Sequence, residues 1–281
     1  MTTPRALMGN TWVEFSSAPG EIQGGIAAAD NLTRKQFLDM LHILFSATGG
    51  FRDPTIQQGH CILTPYSPGA DMCTSTKRYY PRTLSVSSRI RDKAFQDQIR
   101  RRDGRCVITG QINLEACVDR WIQGDTAHIF PLALDSIFQS QGYSKLVTYN
   151  TPPGITSPQN GILLCKDIHA LWDDYSIAVN PNDGYRIQSF TPGAWAYHGE
   201  ILDSVCRQPG NPLSVVDGLL QWHYEQAVLC NMRGDGDMMA EIREGPAPAE
   251  RMEAELFGRL YGVQNELDVP ARGTEQDGEH T

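Results

Sequence analysis

The chain has 281 residues, 40% of them hydrophobic and 20% charged, with a net charge of −9. This composition excludes a wholly disordered chain and supports one large core or two modest ones. No run approaches the ~20 uninterrupted apolar residues of a membrane span, and Met1 to Asn10 contain no apolar signal-peptide core. A soluble intracellular protein, cytoplasmic or nuclear and without a membrane partner, is expected. The seven cysteines are scattered, odd in number and without a C-x-x-C pair, which predicts reduced thiols and no four-thiolate zinc knuckle.

The acidity is unevenly spread. From Lys77 to Arg105 ten Lys or Arg stand against three Asp, a balance of +7 in a chain of −9. From Asp235 onward twelve acids oppose four arginines. Screening acts over ~10 Å, so a local basic belt can still grip phosphates. The alternative is a solvated helix face.

In chain order, Thr11–Phe15 and Glu21–Ala28 flank Pro19-Gly20 and predict a hairpin. Phe37, Leu38, Leu41, Leu44 and Phe45 recur at helical spacing over 34–45, with Asn31 or Thr33 as the cap. Residues 46–82 are rich in Gly, Pro, Ser and Thr and predict loop with one strand, 61–64. Arg89 to Arg102 predicts a helix capped by Ser87-Ser88 and stopped by Gly104. Its Ile90, Phe95 and Ile99 are expected inward, with Arg91, Arg100, Arg101 and Arg102 outward. Cys106–Gly110 predicts a strand and turn, and Thr126–Leu132 a short strand ended by proline. After a long loop, 160–165 predicts a second strand. Asp167 is the expected N-cap of a helix over 168–174. Residues 176–180 and 185–190 alternate around Pro-Asn-Asp-Gly, a hairpin signal. Helices are expected over 215–232 and 249–260, with a frayed acidic tail beyond.

His128 on a strand, Asn160 after a long loop, and His169 with Asp173 on a helix form the spacing that bears on chemistry. His169 and Asp173 are four apart, so they share a helix face and can hold one cation. Two strands and such a helix make a ββα unit, in which a strand histidine faces the cation and can deprotonate water. Acting as a base near its ordinary pKa of ~6.5, His128 would gate activity there. A packed structural histidine is the alternative at each position.

Five ordered blocks resemble the HNH endonucleases, specifically their large fungal group: Arg102-Asp-Gly-Arg-Cys-Val-Ile-Thr-Gly110, Ala127-His-Ile-Phe-Pro-Leu132, Gln159-Asn-Gly-Ile-Leu-Leu164, Ile168-His-Ala-Leu-Trp-Asp173 and Ile177-Ala-Val-Asn-Pro-Asn-Asp-Gly-Tyr185. The resemblance implies an α+β fold with a ββα-metal (His-Me finger) core, set between an N-terminal strand and helix region and C-terminal helices. It implies His128 as general base, Asn160 as the residue orienting the catalytic loop, and His169 and Asp173 as ligands of a divalent ion, Mg²⁺ or Mn²⁺ with Zn²⁺ as the alternative. The position before the base, often a ligand in this family, is Ala127 here. Asp125, two residues earlier on the same strand face, is the candidate substitute. The chemistry implied is phosphodiester hydrolysis, with DNA or RNA held by Arg91, Arg100, Arg101, Arg102 and Arg105. A repurposed enzyme of fungal natural-product biosynthesis is the alternative, catalysing proton transfer, cyclisation or isomerisation of a small molecule without a cofactor. A non-catalytic interaction protein is the third reading. The expected partition is 1–85, an HNH-like core at 86–213, C-terminal helices to 262, and the tail.

Overall fold

The computed structural model describes residues 9–57, 59–82, 93–149 and 154–233. All of these belong to one compact unit, Met1–Gly236. The expected Ser87-Ser88 cap, Arg89, Arg91, the helix over 249–260 and the acidic tail lie outside the described residues.

The first hairpin forms from β1 (Thr11–Phe15) and β2 (Ala18–Ile26), which pair antiparallel. Its turn falls at Ser16-Ser17, ahead of the expected Pro19-Gly20. Helix α1 (Arg34–Leu44) opens on Thr33, whose hydroxyl accepts from the Gln36 N–H while the Gln36 side chain accepts from the Thr33 N–H. It buries Phe37, Met40, Leu41 and Leu44. The stretch expected as loop holds more structure than one strand. After β3 (Phe45–Ala47) come β4 (Thr55–Gln57), β5 (His60–Leu63) and β6 (Met72–Thr74). Strands of three residues are too short to show a period of two. The main sheet runs β2-β1-β5-β4, with β1 parallel to β5, while β3 pairs with β6.

Helix α2 (Lys93–Asp103) follows. The strand expected at Cys106–Gly110 is instead a turn, closed by Gly110 N–H donating to the Cys106 carbonyl and requiring a φ of 73° at Gly110. Next come β7 (Gly124–His128) and a long connection that carries α3 (Asp135–Ser140). Then β8 (Gly161–Cys165) runs straight into α4 (Lys166–Asp173). Asp167 lies in the first turn of α4, and Cys165 takes the cap position expected for it. The hairpin β9 (Ile177–Asn180) with β10 (Arg186–Ser189) forms as the alternation predicts. Helix α5 (Asp217–Met232) ends the described chain.

β7 and β8 are antiparallel, with His128 opposite Gly161 and Gly124 opposite Cys165. Every residue of β8 is buried, because α2 and α4 both pack on it. The α2 contact is close enough that a Cβ on Gly161 would overlap Phe95 and Ile99. One core joins Ala127, Ile129, Phe130, Ile162, Leu164, Ile168 and Trp172 to Leu219, Leu220 and Trp222 of α5. A second joins Val13, Phe37, Leu41 and Leu63 to Tyr224, Val228 and Met232 of the same helix. α5 therefore serves both cores and is buried on nearly every side, where the sequence suggested one apolar face. The architecture is α+β, with β7, β8 and α4 as a ββα unit. Among the described residues no helix is long and apolar enough to cross a membrane.

Candidate active site

His128 is the last residue of β7, and Asn160 sits just before β8 across from it. The fully buried Asn160 side chain staples the chain that leaves His128. Its Oδ1 accepts from the Phe130 N–H at 2.7 Å, and its Nδ2 donates to the carbonyls of Phe130 (3.0 Å) and Ile155 (2.8 Å). The Asn160 carbonyl accepts from the Ile129 N–H at 2.9 Å.

Helix α4 lies on β7 and brings three more predicted residues together. His169 Nδ1 is 3.4 Å from Asp125 Oδ2, and its Nε2 is 3.2 Å from Asp173 Oδ2. The other oxygen of Asp173, Oδ1, accepts from Arg82 Nη1 at 2.7 Å. Arg82 is a member the sequence reading passed over. It ends the Gly/Pro/Ser/Thr-rich stretch and is 46 residues from His128 and 91 from Asp173, so no spacing signals it. Its Nη2 also donates to the carbonyls of His128 (2.6 Å) and Ile129 (3.1 Å).

These contacts drive the two histidines apart. Burial opposes a charge on His169, yet Asp125 and Asp173 outweigh it and raise its pKa to about 9. Both carboxyls are held below the usual range against the effect of burial, Asp125 by His169 and Asp173 by Arg82 and His169. Among the described residues His128 has no hydrogen-bonded carboxylate. Burial, reinforced by the Arg82 charge, pushes its pKa down to about 3. Its ring stacks on Phe95 at 4.1 Å between centroids, and Nε2 is buried with no hydrogen-bond partner among the described residues. A neutral imidazole holds across the physiological range, so the expected switch near pH 6.5 does not belong to this residue.

Residues 106–180 match the family model described as HNH endonuclease. This segment is similar to HNH-type nuclease domains. The match opens at the Cys106 turn, takes in β7, β8 and α4, and closes with β9. No curated protein and no solved structure matches the chain.

HNH endonucleases typically use a divalent cation. The residues of the matched segment fit one along a single edge. Neighbouring ligands of an octahedral ion with bonds of ~2.1 Å lie about 3 Å apart, the spacing of His169 Nε2 and Asp173 Oδ2. The carboxylate suits Mg²⁺ or Mn²⁺ as a donor and the imidazole suits Zn²⁺. Asp125 does not join them. It sits on the opposite ring nitrogen, and among the described residues no three His, Cys, Asp or Glu converge on one ion. The expected ligand Asp125 thus meets His169 at Nδ1 rather than along the Nε2–Oδ2 edge. In that place its carboxylate orients the His169 ring and raises its basicity.

The arginines expected to hold nucleic acid divide. Arg91 lies outside the described residues. Arg101 is exposed. Arg100 lies over the Trp121 ring, 4.8 Å from its centroid, and 3.9 Å from Asp119. Arg105 Nε donates to Asp203 Oδ2 at 2.6 Å. Arg102 faces inward and is removed from any phosphate-gripping surface. It forks onto Asp103 (Nε–Oδ1 2.6 Å, Nη2–Oδ2 2.9 Å) and donates to the carbonyls of Pro158, Leu213 and Gly161.

Proposed function

We propose that the HNH domain hydrolyses phosphodiester bonds of a nucleic acid, with His128 as general base and a divalent cation on the His169–Asp173 edge. The observation that carries this reading is a buried His128 nitrogen, without a partner among the described residues, at the end of the strand on which the helix bearing the His–Asp donor pair packs. His128 Nε2 accepts the proton of the attacking water as the nucleophile forms. An arriving phosphate adds negative charge, which raises the basicity that burial and Arg82 suppress. Asn160 keeps the strand end rigid, so the base points at one place. Asp125 holds the His169 ring with Nε2 toward Asp173. When bound, the cation supplies Lewis-acid stabilisation of charge on the phosphate and the leaving oxygen. Arg101, with residues around α2, grips the flanking backbone. The test is cleavage of single-stranded and duplex DNA and RNA by the full chain in Mn²⁺, beside EDTA and His128→Ala controls. Cleavage lost in both controls supports the reading, and no cleavage of any of the four overturns it.

A second reading, proton transfer on a small molecule without a metal, is favoured by one observation, the stacking of His128 on Phe95 with Nε2 itself buried. Turnover of such a substrate would be indifferent to EDTA.

A further inference from the structure

We propose that Arg82 is a positioning residue for this reaction, a guanidinium clamp that fixes the base against the cation edge from outside the matched HNH segment. The inference rests on the phosphodiesterase reading above. Its side chain is 7% exposed and joins two elements. Nη2 takes the carbonyls at the end of β7, those of His128 and Ile129. Nη1 takes Asp173 Oδ1 and, at 3.5 Å, the carbonyl of Trp172 at the end of α4. One planar group therefore spans the residue that bears the base and the residue that offers a ligand. By occupying Oδ1 it leaves Oδ2 of Asp173 turned to His169 Nε2. Trp172 Nε1 donates to the same His128 carbonyl at 3.2 Å, so the clamp works against a packed wall.

The clamp is itself held. Residues 75–82 form a strap tied to α5: Lys77 pairs with Glu225 at 2.8 Å, and the Tyr80 N–H donates to Gln226 Oε1 at 2.8 Å. Arg233 donates to the Lys77 carbonyl at 2.8 Å, and the Tyr175 hydroxyl donates to the Tyr80 carbonyl. The matched segment, 106–180, thus has its base and ligand registered by a residue that α5 and the strap deliver. A lysine keeps the charge but cannot span both elements, because its ammonium lacks the rigid fork.

The experiment compares Arg82→Lys, Arg82→Ala and Gln226→Leu with wild type in the full chain. A misplacement of ~1 Å can cost ~100-fold in rate, so kcat on DNA is expected to fall ~10–100-fold in both Arg82 variants, with KM within about two-fold. Methylguanidinium is expected to restore part of kcat in Arg82→Ala and none in Arg82→Lys. Gln226→Leu, which loosens the strap and leaves the guanidinium intact, is expected to lower kcat several-fold, and it carries the test if the Arg82 variants do not fold. Unchanged kcat in folded variants, or a loss carried wholly by KM, overturns the proposal. Mn²⁺ affinity, read by electron paramagnetic resonance, separates this from failure of the phosphodiesterase reading. If wild type cleaves nothing but binds Mn²⁺, several-fold weaker binding in the charge-conserving Arg82→Lys supports the clamp, and equal binding overturns it. If wild type neither cleaves nor binds Mn²⁺, both readings fall.

Discussion

Two ionic clusters flank the β7–β8 pair, and they are built from the same residue types to different ends. On the α2 side, Arg102 and Asp103 are sealed, with side chains 1% and 0% exposed. All five N–H donors of Arg102 are used, on Asp103 and three carbonyls, and Asp103 also accepts from the Leu163 N–H. On the α4 side, Arg82, Asp173, His169 and Asp125 form an open chain, with Asp125 and Asp173 still meeting solvent. Beside it, His128 Nε2 has no partner among the described residues. A sealed, fully satisfied pair holds strands in place. An open one beside an unsatisfied nitrogen leaves bonding capacity for a ligand.

The largest effect expected from this contrast is on stability. Arg102→Ala leaves Asp103 buried without its partner and should cost ~3–5 kcal/mol, read by denaturant unfolding. Any activity it loses should track unfolding. If Arg102→Ala instead melts like wild type, the sealed cluster is not the strut its bonding suggests.

The open cluster should respond the other way. His128→Ala is expected to lower turnover ~10²–10⁴-fold in a protein that still folds cooperatively, after a packing loss of ~1–3 kcal/mol. Melting curves run beside a cleavage assay decide it, and full turnover in folded His128→Ala would remove the residue from the mechanism. With its pKa down at about 3 in the free protein, His128 should impose no inflection on kcat/KM between pH 5 and 8.

pH dissects the two histidines in the metal-free protein. The folded pKa of His169, about 9, lies above its unfolded ~6.5. Its contribution is complete below pH 6.5 and is lost as pH rises through 9. His128 is the reverse, about 3 in the fold, so its contribution is complete above pH 6.5 and is lost as pH falls towards 3. Buried His223, also held well below its ordinary value by burial, adds to the acid limb. His169→Gln should flatten the alkaline limb of a stability–pH curve, and His128→Phe should shallow the acid limb. Limbs that stay put would mean the two environments are less distinct than their contacts imply.

The ββα unit was legible in the sequence because each part carries a local signal: apolar strands bounded by proline and glycine, and an i, i+4 His–Asp pair on a short helix. Asn160 was legible through its place before β8. Asp125 was legible as a strand carboxylate near the helix histidine, but period-two reasoning gives a face and not which imidazole nitrogen is met. Arg82 was illegible, since its partners are distant in the chain and its own neighbourhood reads as loop. Arg102 had a signal that went unused. Phe95, Ile99 and Arg102 follow helical spacing, which continues the buried stripe of α2 onto the arginine. A charged residue on an apolar stripe is read outward by habit, yet a preformed cage of carbonyls and an adjacent aspartate make the inward position favourable.

Arg101 gives the smallest expected effect and the finest test of the contrast. It is next to Arg102 on α2, but a helix turns 100° per residue, so the neighbour of a buried position can stand in water. Arg101 is exposed, and among the described residues it takes no part in the sealed contacts. Arg101→Ala should therefore change stability by no more than ~0.5 kcal/mol. Its effect should appear instead in the salt dependence of DNA binding. Each phosphate contact on B-DNA contributes ~0.9 to the slope of log affinity against log salt. If Arg101 grips one phosphate, the slope should shallow by about that amount, with affinity weakened similarly for unrelated sequences. Arg100 and Arg105, engaged with Trp121 and Asp203, should give smaller shifts when changed to Ala. An unaltered slope in Arg101→Ala would make this face of α2 a solvated surface and move the nucleic-acid contact elsewhere on the domain.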